Sequence, residues 1–201
     1  TSAMTIGSGG TEIVSAGGLA VGTIVNSGGT EVVATGGATS DSVVSSGGTL
    51  LVASRGIADP TLILSGGTEI VSAGGGDFGA QISGGTQVVF GFADGATAFG
   101  GAQVVRSGGV AVGTIVSGGS AVVSARGGEI DAEIDSGGTL QVSAGGSALN
   151  TTVSSGGLLA INTGGTGSGS LLSGGEEIVS GIEIGAVIAS GGVQVVSRGV
   201  A

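Results

Sequence analysis

The residues of this chain that could carry acid–base chemistry are almost all carboxylates. Its 201 residues include 14 Asp and Glu and four Arg but no His, Lys or Cys, and the formal net charge is −10. Nucleophilic and general-base catalysis commonly uses His, Cys or Lys beside a carboxylate. This composition therefore leaves open only a mechanism built on carboxylates alone, as in glycoside-cleaving enzymes.

One dense acidic group follows a strict alternation. Acidic residues alternate with aliphatic ones at Glu129, Ile130, Asp131, Ala132, Glu133, Ile134 and Asp135. The pattern predicts one strand with the four acids on its outer face and the aliphatic residues inside. Because no aromatic residue lies nearby in the sequence to hold a sugar ring, we predict that the chain is not an enzyme and has no catalytic residues.

The same acidic strand has two interpretations with respect to cations. Outward carboxylates on one strand could share a Ca²⁺ with a neighbouring strand, although that ion takes about six to eight oxygen ligands. A solvated acidic face is the simpler interpretation and the one we favour. We predict no metal site and no cofactor.

The charge balance also excludes several partners. Phosphate binding requires a basic stripe, which a chain with four Arg lacks, so we predict no nucleic-acid partner. Anionic membrane surfaces are disfavoured for the same reason. No apolar run approaches the length of a membrane span, so we predict that this segment does not insert into a membrane.

Gly-Gly doublets recur along the whole chain and mark an internal repeat. They begin at Gly9, Gly28, Gly47, Gly66, Gly84, Gly100, Gly118, Gly137, Gly156, Gly174 and Gly191, at intervals of 16 to 19 residues. Behind each doublet comes a short run such as Thr11 to Ser15, then a glycine turn, then a second run such as Leu19 to Asn26. Runs of β-branched residues bounded by glycine are typical of strands, so each unit is predicted as strand, turn, strand, turn.

Two apolar ladders indicate the core. The fourth position of the first strand is Val14, Val33, Val52, Val71, Val89, Val105, Val123, Val142, Ile161, Val179 and Val196. Three residues before the doublets lie Val25, Val44, Ile63, Ile115, Ile134, Val153, Leu171 and Ile188. The same phase predicts that Val21, Thr23 and Val25 point inward in the first unit.

Units of this size bury their apolar face only by stacking. We therefore predict an all-β fold, a right-handed parallel β-helix of about eleven coils of 18–19 residues, as a single domain over residues 1–201. Thr1 begins inside a unit and Val200-Ala201 stops just past a turn, and neither end shows a polar cap. We interpret the chain as a fragment of a longer array.

The interval from residue 76 to 101 is irregular, with shorter spacing between doublets and with all four Phe residues of the chain. Two interpretations are open for Phe90, Phe92 and Phe99. They either belong to a protruding loop with a binding role or repack the core locally, and repacking is favoured.

The repeat resembles a known family. The sequences SGGTEIVSAGGLAVGTIVNSGG (Ser8 to Gly29), SGGTEIVSAGG (Ser65 to Gly75) and SGGVAVGTIVSGG (Ser107 to Gly119) are similar to the strand-loop-strand repeats in passenger domains of self-associating autotransporter adhesins of the AIDA-I, TibA and antigen 43 type. The resemblance implies a β-helix at the bacterial cell surface, or secreted through the outer membrane, that mediates aggregation, biofilm formation or attachment. It implies the chain itself as partner, along with host or bacterial surface molecules and an O-heptosylating enzyme acting on Ser or Thr. No modified residue can be assigned from the motif.

A candidate self-association ladder follows the second position of the first strand. Polar and apolar residues mix there, so we expect this position outside or at an edge. The candidate residues are Glu12, Glu31, Glu69, Gln87, Gln103, Glu177 and Gln194, beside Thr11, Thr30, Thr49 and Thr68. Two rods would associate side by side through many weak hydrogen bonds. The alternative function is a structural spacer, glycosylated or not, that presents another domain and has only solvated outer ladders.

Overall fold

Short β-branched strands separated by glycine turns build a right-handed parallel β-solenoid of about 10 coils of ~19 residues, which confirms the predicted fold class. The computed structural model describes residues 3–201, so Thr1 lies outside the described residues. Each coil contributes one strand to each of three parallel sheets, which we call sheets I, II and III in the order in which the chain visits them. Residues 3–201 form no helix, and so contain no helix long and apolar enough to cross a membrane.

Sheet I has eleven strands of four residues each. They are β2 (Thr11–Val14), β5 (Thr30–Val33), β8 (Thr49–Val52), β11 (Thr68–Val71), β14 (Thr86–Val89), β17 (Ala102–Val105), β20 (Ser120–Val123), β23 (Thr139–Val142), β26 (Leu158–Ile161), β29 (Glu176–Val179) and β32 (Val193–Val196). Neighbouring strands pair in parallel with equivalent residues side by side, as in Glu12 beside Glu31 and Val14 beside Val33.

Sheets II and III are made of shorter strands. Sheet II contains β3 (Leu19–Val21), β6 (Ala38–Ser40), β9 (Ile57–Ala58), β12 (Gly76–Phe78), β15 (Phe92–Asp94), β18 (Val110–Val112), β21 (Gly128–Ile130), β24 (Ser147–Leu149), β27 (Thr166–Ser168) and β30 (Ile182–Ile184). Sheet III contains β1 (Thr5–Ile6), β4 (Ile24–Val25), β7 (Ser42–Val44), β10 (Thr61–Leu64), β13 (Gln81–Ser83), β16 (Thr97–Ala98), β19 (Ile115–Val116), β22 (Glu133–Ile134), β25 (Thr152–Ser154), β28 (Leu171–Ser173) and β31 (Val187–Ile188).

The second strand predicted for each unit is in fact two strands, one in sheet II and one in sheet III. In the first coil Gly22 adopts φ 66° between β3 and β4. A residue in this left-handed conformation turns the chain and breaks the alternation of side chains. Ala20 and Thr23 are therefore buried, whereas Val21 faces outward, and the prediction that Val21 points inward is wrong.

The fourth position of sheet I forms the predicted core ladder. Its residues from Val14 to Val179 are buried, most of them completely. Val196 is 48 % exposed because β32 pairs with a sheet I neighbour on one side only. The interior of the solenoid is thus an aliphatic column to which each coil adds one side chain.

The second predicted ladder is correct for Val25, Val44, Ile63, Ile134 and Val153, which are all fully buried. It is wrong by one residue in two coils. Ile115 and Leu171 face outward, and the buried residues are Val116 and Leu172. In these coils the turn before the doublet is one residue shorter, so counting back from the glycines gives the wrong phase. Ile188, in the last strand of sheet III, is 52 % exposed.

The two glycines of a doublet serve different purposes. Gly28 has φ 72°, a left-handed conformation that glycine adopts without strain. A Cβ on Gly29 would lie 2.6 Å from the carbonyl oxygen of Ile6 in the preceding coil. The doublet therefore turns the chain with its first residue and lets two coils approach with its second.

The irregular stretch neither protrudes nor repacks the core. Strands β14, β15 and β16 stay paired with the coils on both sides. Phe90, Phe92 and Phe99 lie on the surface, and the ring of Phe92 lies 6.0 Å from that of Phe78, centroid to centroid. The rings lie outside the interior, whose buried side chains are aliphatic or polar.

The two faces of one strand give a sharp test of the core. We expect Val105→Asp to lower the free energy of unfolding by roughly 3 kcal/mol or more, because it buries an unpaired charge. Val104→Asp, on the outward face of the same strand β17, should cost about 1 kcal/mol or less. Urea unfolding followed by circular dichroism measures both. Equal losses for the two variants would contradict the inward orientation of Val105.

Candidate functional site

The second position of sheet I lies inside the solenoid, so the prediction that it forms an outer ladder is wrong. Glu31, Glu69, Gln87, Gln103 and Glu177 are all fully buried, and Glu12 is 7 % exposed. Gln194, in the last strand, is half-buried. Side chains alternate along a strand, and the fourth position is the core ladder, so the second position faces the same way. Polar residues in this column are therefore lining the interior.

The candidate threonines do face outward. Thr11 is exposed, and Thr30, Thr49 and Thr68 are half-buried on the outer surface of sheet I. The structure thus separates the two halves of the predicted ladder onto opposite faces of one sheet. Only the threonine half is positioned to contact another molecule.

Small hydroxyl side chains donate hydrogen bonds to two of the inner carboxylates, Glu31 and Glu12. Thr39 donates to Glu31 Oε1 at 2.6 Å, and Ser42 donates to Glu31 Oε2 at 2.9 Å. Thr23 donates to Glu12 Oε2 at 3.0 Å. Each partner belongs to the same coil as its carboxylate. In these two coils the hydrogen bond therefore spans the interior within one coil.

In the middle of the array the polar side chains connect successive coils. The amide nitrogen of Gln87 donates to Glu69 Oε2 at 3.0 Å and to Asp77 Oδ1 at 2.8 Å. Gln103 Nε2 donates to Gln87 Oε1 at 2.9 Å, and Thr114 donates to Gln103 Oε1 at 3.0 Å. The result is a continuous chain of hydrogen bonds that runs along the solenoid axis.

A second carboxyl pair lies near the C-terminal end. The hydroxyl of Ser170 lies 3.2 Å from Glu177 Oε1 and 2.9 Å from Glu183 Oε1. The backbone nitrogen of Ser170 also donates to Glu183 Oε1, at 3.2 Å, and Gln194 Nε2 donates to Glu177 Oε2 at 2.8 Å. Two carboxyl groups thus converge on one serine.

Glu129 also points inward, which corrects the prediction of four outward acids. Asp131 adopts φ 55° at the bend between sheets II and III and breaks the alternation, so Glu129 is buried while Asp131 and Glu133 are exposed. The sheet I residue of that coil is the small Ala121, whereas coils with Leu140 or Gln103 there carry alanine in sheet II. In these three coils a large side chain in one sheet faces a small one in the other, and together they fill the interior.

Both carboxyl oxygens of Glu129 lie without a hydrogen-bond partner. The nearby Thr114 hydroxyl acts to lower the pKa of Glu129, but it donates its hydrogen bond to Gln103. Burial raises the pKa of Glu129 from 4.5 to about 7. This carboxyl is therefore more stable neutral than charged in the folded chain.

Burial raises the pKa of five other inner carboxyls as well. It raises the pKa of Asp77 to about 6, and it raises the pKa of Glu69 well above its usual value, helped by the charge of Asp77 beside it. The pKa values of Glu31, Glu177 and Glu183 are raised from the same first cause. The inner row is thus a set of carboxyls that folding favours in their protonated form.

This arrangement fits structural support better than acid–base chemistry on a substrate. The inner carboxyls are closed off from solvent by the coils that hold them. Among residues 3–201, no group of three or more acidic side chains is placed to hold a metal ion. Of the four acids in the segment that raised the metal question, Glu129 lies in the interior and the other three face outward, so these acids do not share one face.

The surface feature that sequence reasoning missed is the third position of sheet I. It points outward and is aliphatic in every strand except β23: Ile13, Val32, Leu51, Ile70, Val88, Val104, Val122, Gln141, Ala160, Ile178 and Val195. Backbone pairing places these residues in one row along the rod. We call this row, together with the outward first position that contains the threonines, the outer face of sheet I.

The outer face of sheet I is almost free of charge. Glu176 is its one charged residue across β2 to β32. The strands of sheets II and III carry one outward acid each, Asp94 and Glu133, and the bend between these sheets carries Asp41, Asp59 and Asp131 as well. The side of the rod formed by sheet I therefore carries fewer outward acids than the side formed by sheets II and III with the bend between them.

The chain matches no family model and no curated protein, but a solved structure is similar to it. This structure is the TibC-catalyzed hyper-glycosylated fragment 55–350 of TibA, with a TM-score of 0.79 and 29 % sequence identity, covering 100 % of this chain and 90 % of that one. It is an AIDA-I/TibA-type autotransporter passenger, which confirms the resemblance seen in the repeats. In that structure the solenoid is the acceptor of a glycosylation reaction, not its catalyst.

Neutral inner carboxyls make stability depend on pH in a defined direction. A pKa raised on folding stabilises the chain fully below the unfolded value near 4.5, and this stabilisation is lost as the pH rises through the folded value of about 7 for Glu129. At about 1.4 kcal/mol per pH unit, Glu129 accounts for roughly 3 kcal/mol of loss over that window. We expect Glu129→Gln to reduce the decline in urea-unfolding free energy between pH 5 and pH 8 by about this amount.

The matched control is Glu133→Gln, which removes an exposed carboxyl four residues away. It should leave the pH dependence as in the native chain. If both variants change the slope equally, the effect comes from total charge and not from burial of Glu129.

Proposed function

We propose that this chain is a passenger segment of an AIDA-I/TibA-type autotransporter adhesin, which mediates self-association, aggregation or attachment at the bacterial cell surface. The observation that carries the proposal is the likeness to the TibA passenger fragment over the whole chain. A passenger is exported, so the proposal includes a location on the cell surface or in the secreted fraction. It also includes the prediction that residues 1–201 form a single repeat domain.

The geometry supports adhesion through its length. About ten coils spaced by ~4.8 Å give a rod on the order of 50 Å long, with the same outward positions repeated in each coil. If a coil contributes a few tenths of a kcal/mol, on the order of an exposed cross-strand pair, the contributions act together along one rigid body. Weak contacts are then sufficient to hold two surfaces together.

A second candidate function is a glycosylated spacer. The similar TibA fragment is hyper-glycosylated by TibC, so we include a glycosylating enzyme among the partners of this chain. Serines before the doublets offer it a column of exposed hydroxyl groups that includes Ser8, Ser27, Ser46, Ser65, Ser136 and Ser155. In this function the rod carries sugars or another domain away from the envelope, and its bare protein surface has no partner.

Deletion of whole coils separates the two functions. Removing residues 86–175 eliminates the five coils that begin with β14, β17, β20, β23 and β26. The deletion joins Gly85 to Glu176. Gly85 is the equivalent of Gly175, the natural neighbour of Glu176, so the repeat continues without a change of register. We expect bacteria that display the full chain to clump and settle, and bacteria that display the shortened chain to settle much more slowly. Settling of cell suspensions measures this, with antibody labelling to match the amounts displayed.

The outcome is decisive in both directions because association by an array grows steeply with the number of coils. Equal settling of the two strains at equal display would contradict adhesion by the array. No settling with either chain would favour the spacer, in which coils matter only through length.

A further inference from the structure

We infer that the outer face of sheet I is the surface through which two copies of this chain pack against each other. This inference rests on the proposed self-association and adds the face and the partner. Three observations carry it: the chemistry of the face, its charge and its period.

The chemistry of the face is that of a sheet that packs against another sheet. Val88, Val104 and Val122 stand in consecutive coils in the middle of the aliphatic row, and Thr86, Ala102 and Ser120 stand beside them. β-Sandwiches are built when two such faces interdigitate about 10 Å apart. The row is half-buried by its own neighbours above and below but is uncovered from outside.

The charge of the chain selects this face over the others for contact between copies. Two copies of the chain repel each other wherever their outward acids meet. The strands of sheets II and III each present one outward acid, Asp94 and Glu133, and the bend between these two sheets adds Asp41, Asp59 and Asp131. The outer face of sheet I places a single carboxylate, Glu176, along its whole length.

The period of the face selects a second copy over an unrelated partner. Its side chains recur once per coil, at the ~4.8 Å spacing of paired strands. A partner surface can interdigitate with these side chains over about ten coils only if its own side chains recur at the same spacing. Another copy of the same solenoid has the same spacing. The same face on both copies also satisfies the requirement of a two-fold contact.

The size of the face fits a reversible dimer. Four residues along a strand and about ten coil spacings along the rod give a footprint of roughly 13 Å by 50 Å, or about 650 Å² on each copy. Stable complexes bury about 800 Å² on each partner. One stretch of this length therefore gives a weak dimer, and additional coils strengthen it.

Three glutamates on this face test the inference against three on another face. The variant Val88→Glu, Val104→Glu and Val122→Glu charges the middle of the outer face of sheet I. The control Gln81→Glu, Thr97→Glu and Ile115→Glu adds the same charge to the outward positions of sheet III in three consecutive coils. Sedimentation equilibrium of the full chain over a concentration series gives the dimer dissociation constant for each.

We expect the sheet I variant to raise the dissociation constant at least about tenfold, and the control to change it by less than about twofold. Circular dichroism and thermal melting verify that both remain folded. If the glutamates unfold the chain, the variant Val88→Thr, Val104→Thr and Val122→Thr keeps the β-branched shape, removes apolar surface, and should still weaken the dimer by a factor of several.

Two failures have different meanings. If the native chain dimerises and the sheet I variant has the same dissociation constant as the native chain and the control, the copies associate through another face. This result overturns the inference and leaves the proposed function standing. A native chain that remains monomeric at every concentration overturns the inference and the self-association on which it rests.

Discussion

The parallel pairing of successive coils is the constraint on which the rest of the structure depends. Backbone hydrogen bonds bring each residue beside its equivalent in the next coil, so valine stacks on valine and glutamate on glutamate. A buried polar residue in such a column meets other buried polar residues, and they must satisfy one another. Gln87 and Gln103 do so directly, side chain to side chain, from one coil to the next.

The same constraint explains why carboxyls are tolerated in the interior. A charged group there loses its water without gaining a cation, since the nearest possible partners are hydroxyls, amides and other carboxyls. Neutralisation removes most of this cost, which is why the pKa values of the inner carboxyls are raised. Large and small residues compensate within a coil, so Glu129 fits where Ala121 leaves room.

The repeat and its fold were predictable because doublet spacing and the Val14-type ladder depend only on local pattern. The placement of Glu31 was predictable too, since it lies two residues before Val33 and strands alternate with a period of two. The outward placement predicted for Glu31 was based on its polarity and not on this alternation, and it was wrong. The bends at Gly22 and Asp131 could not be predicted in the same way, because a left-handed residue within a short strand breaks the alternation on which the reasoning relies.

The inward position of the glutamates and glutamines of sheet I determines which contacts the proposed adhesion can use. A zipper of outward glutamates would put like charges opposite each other in any pairing of identical rods, and its strength would depend on pH and salt. With those glutamates enclosed, the outer surface of the same strands is left to threonine and aliphatic side chains, whose contacts depend on apolar area and little on ionic strength. The inner side chains of sheet I thereby fill the core, and the strands that carry them present a nearly uncharged surface on their other side.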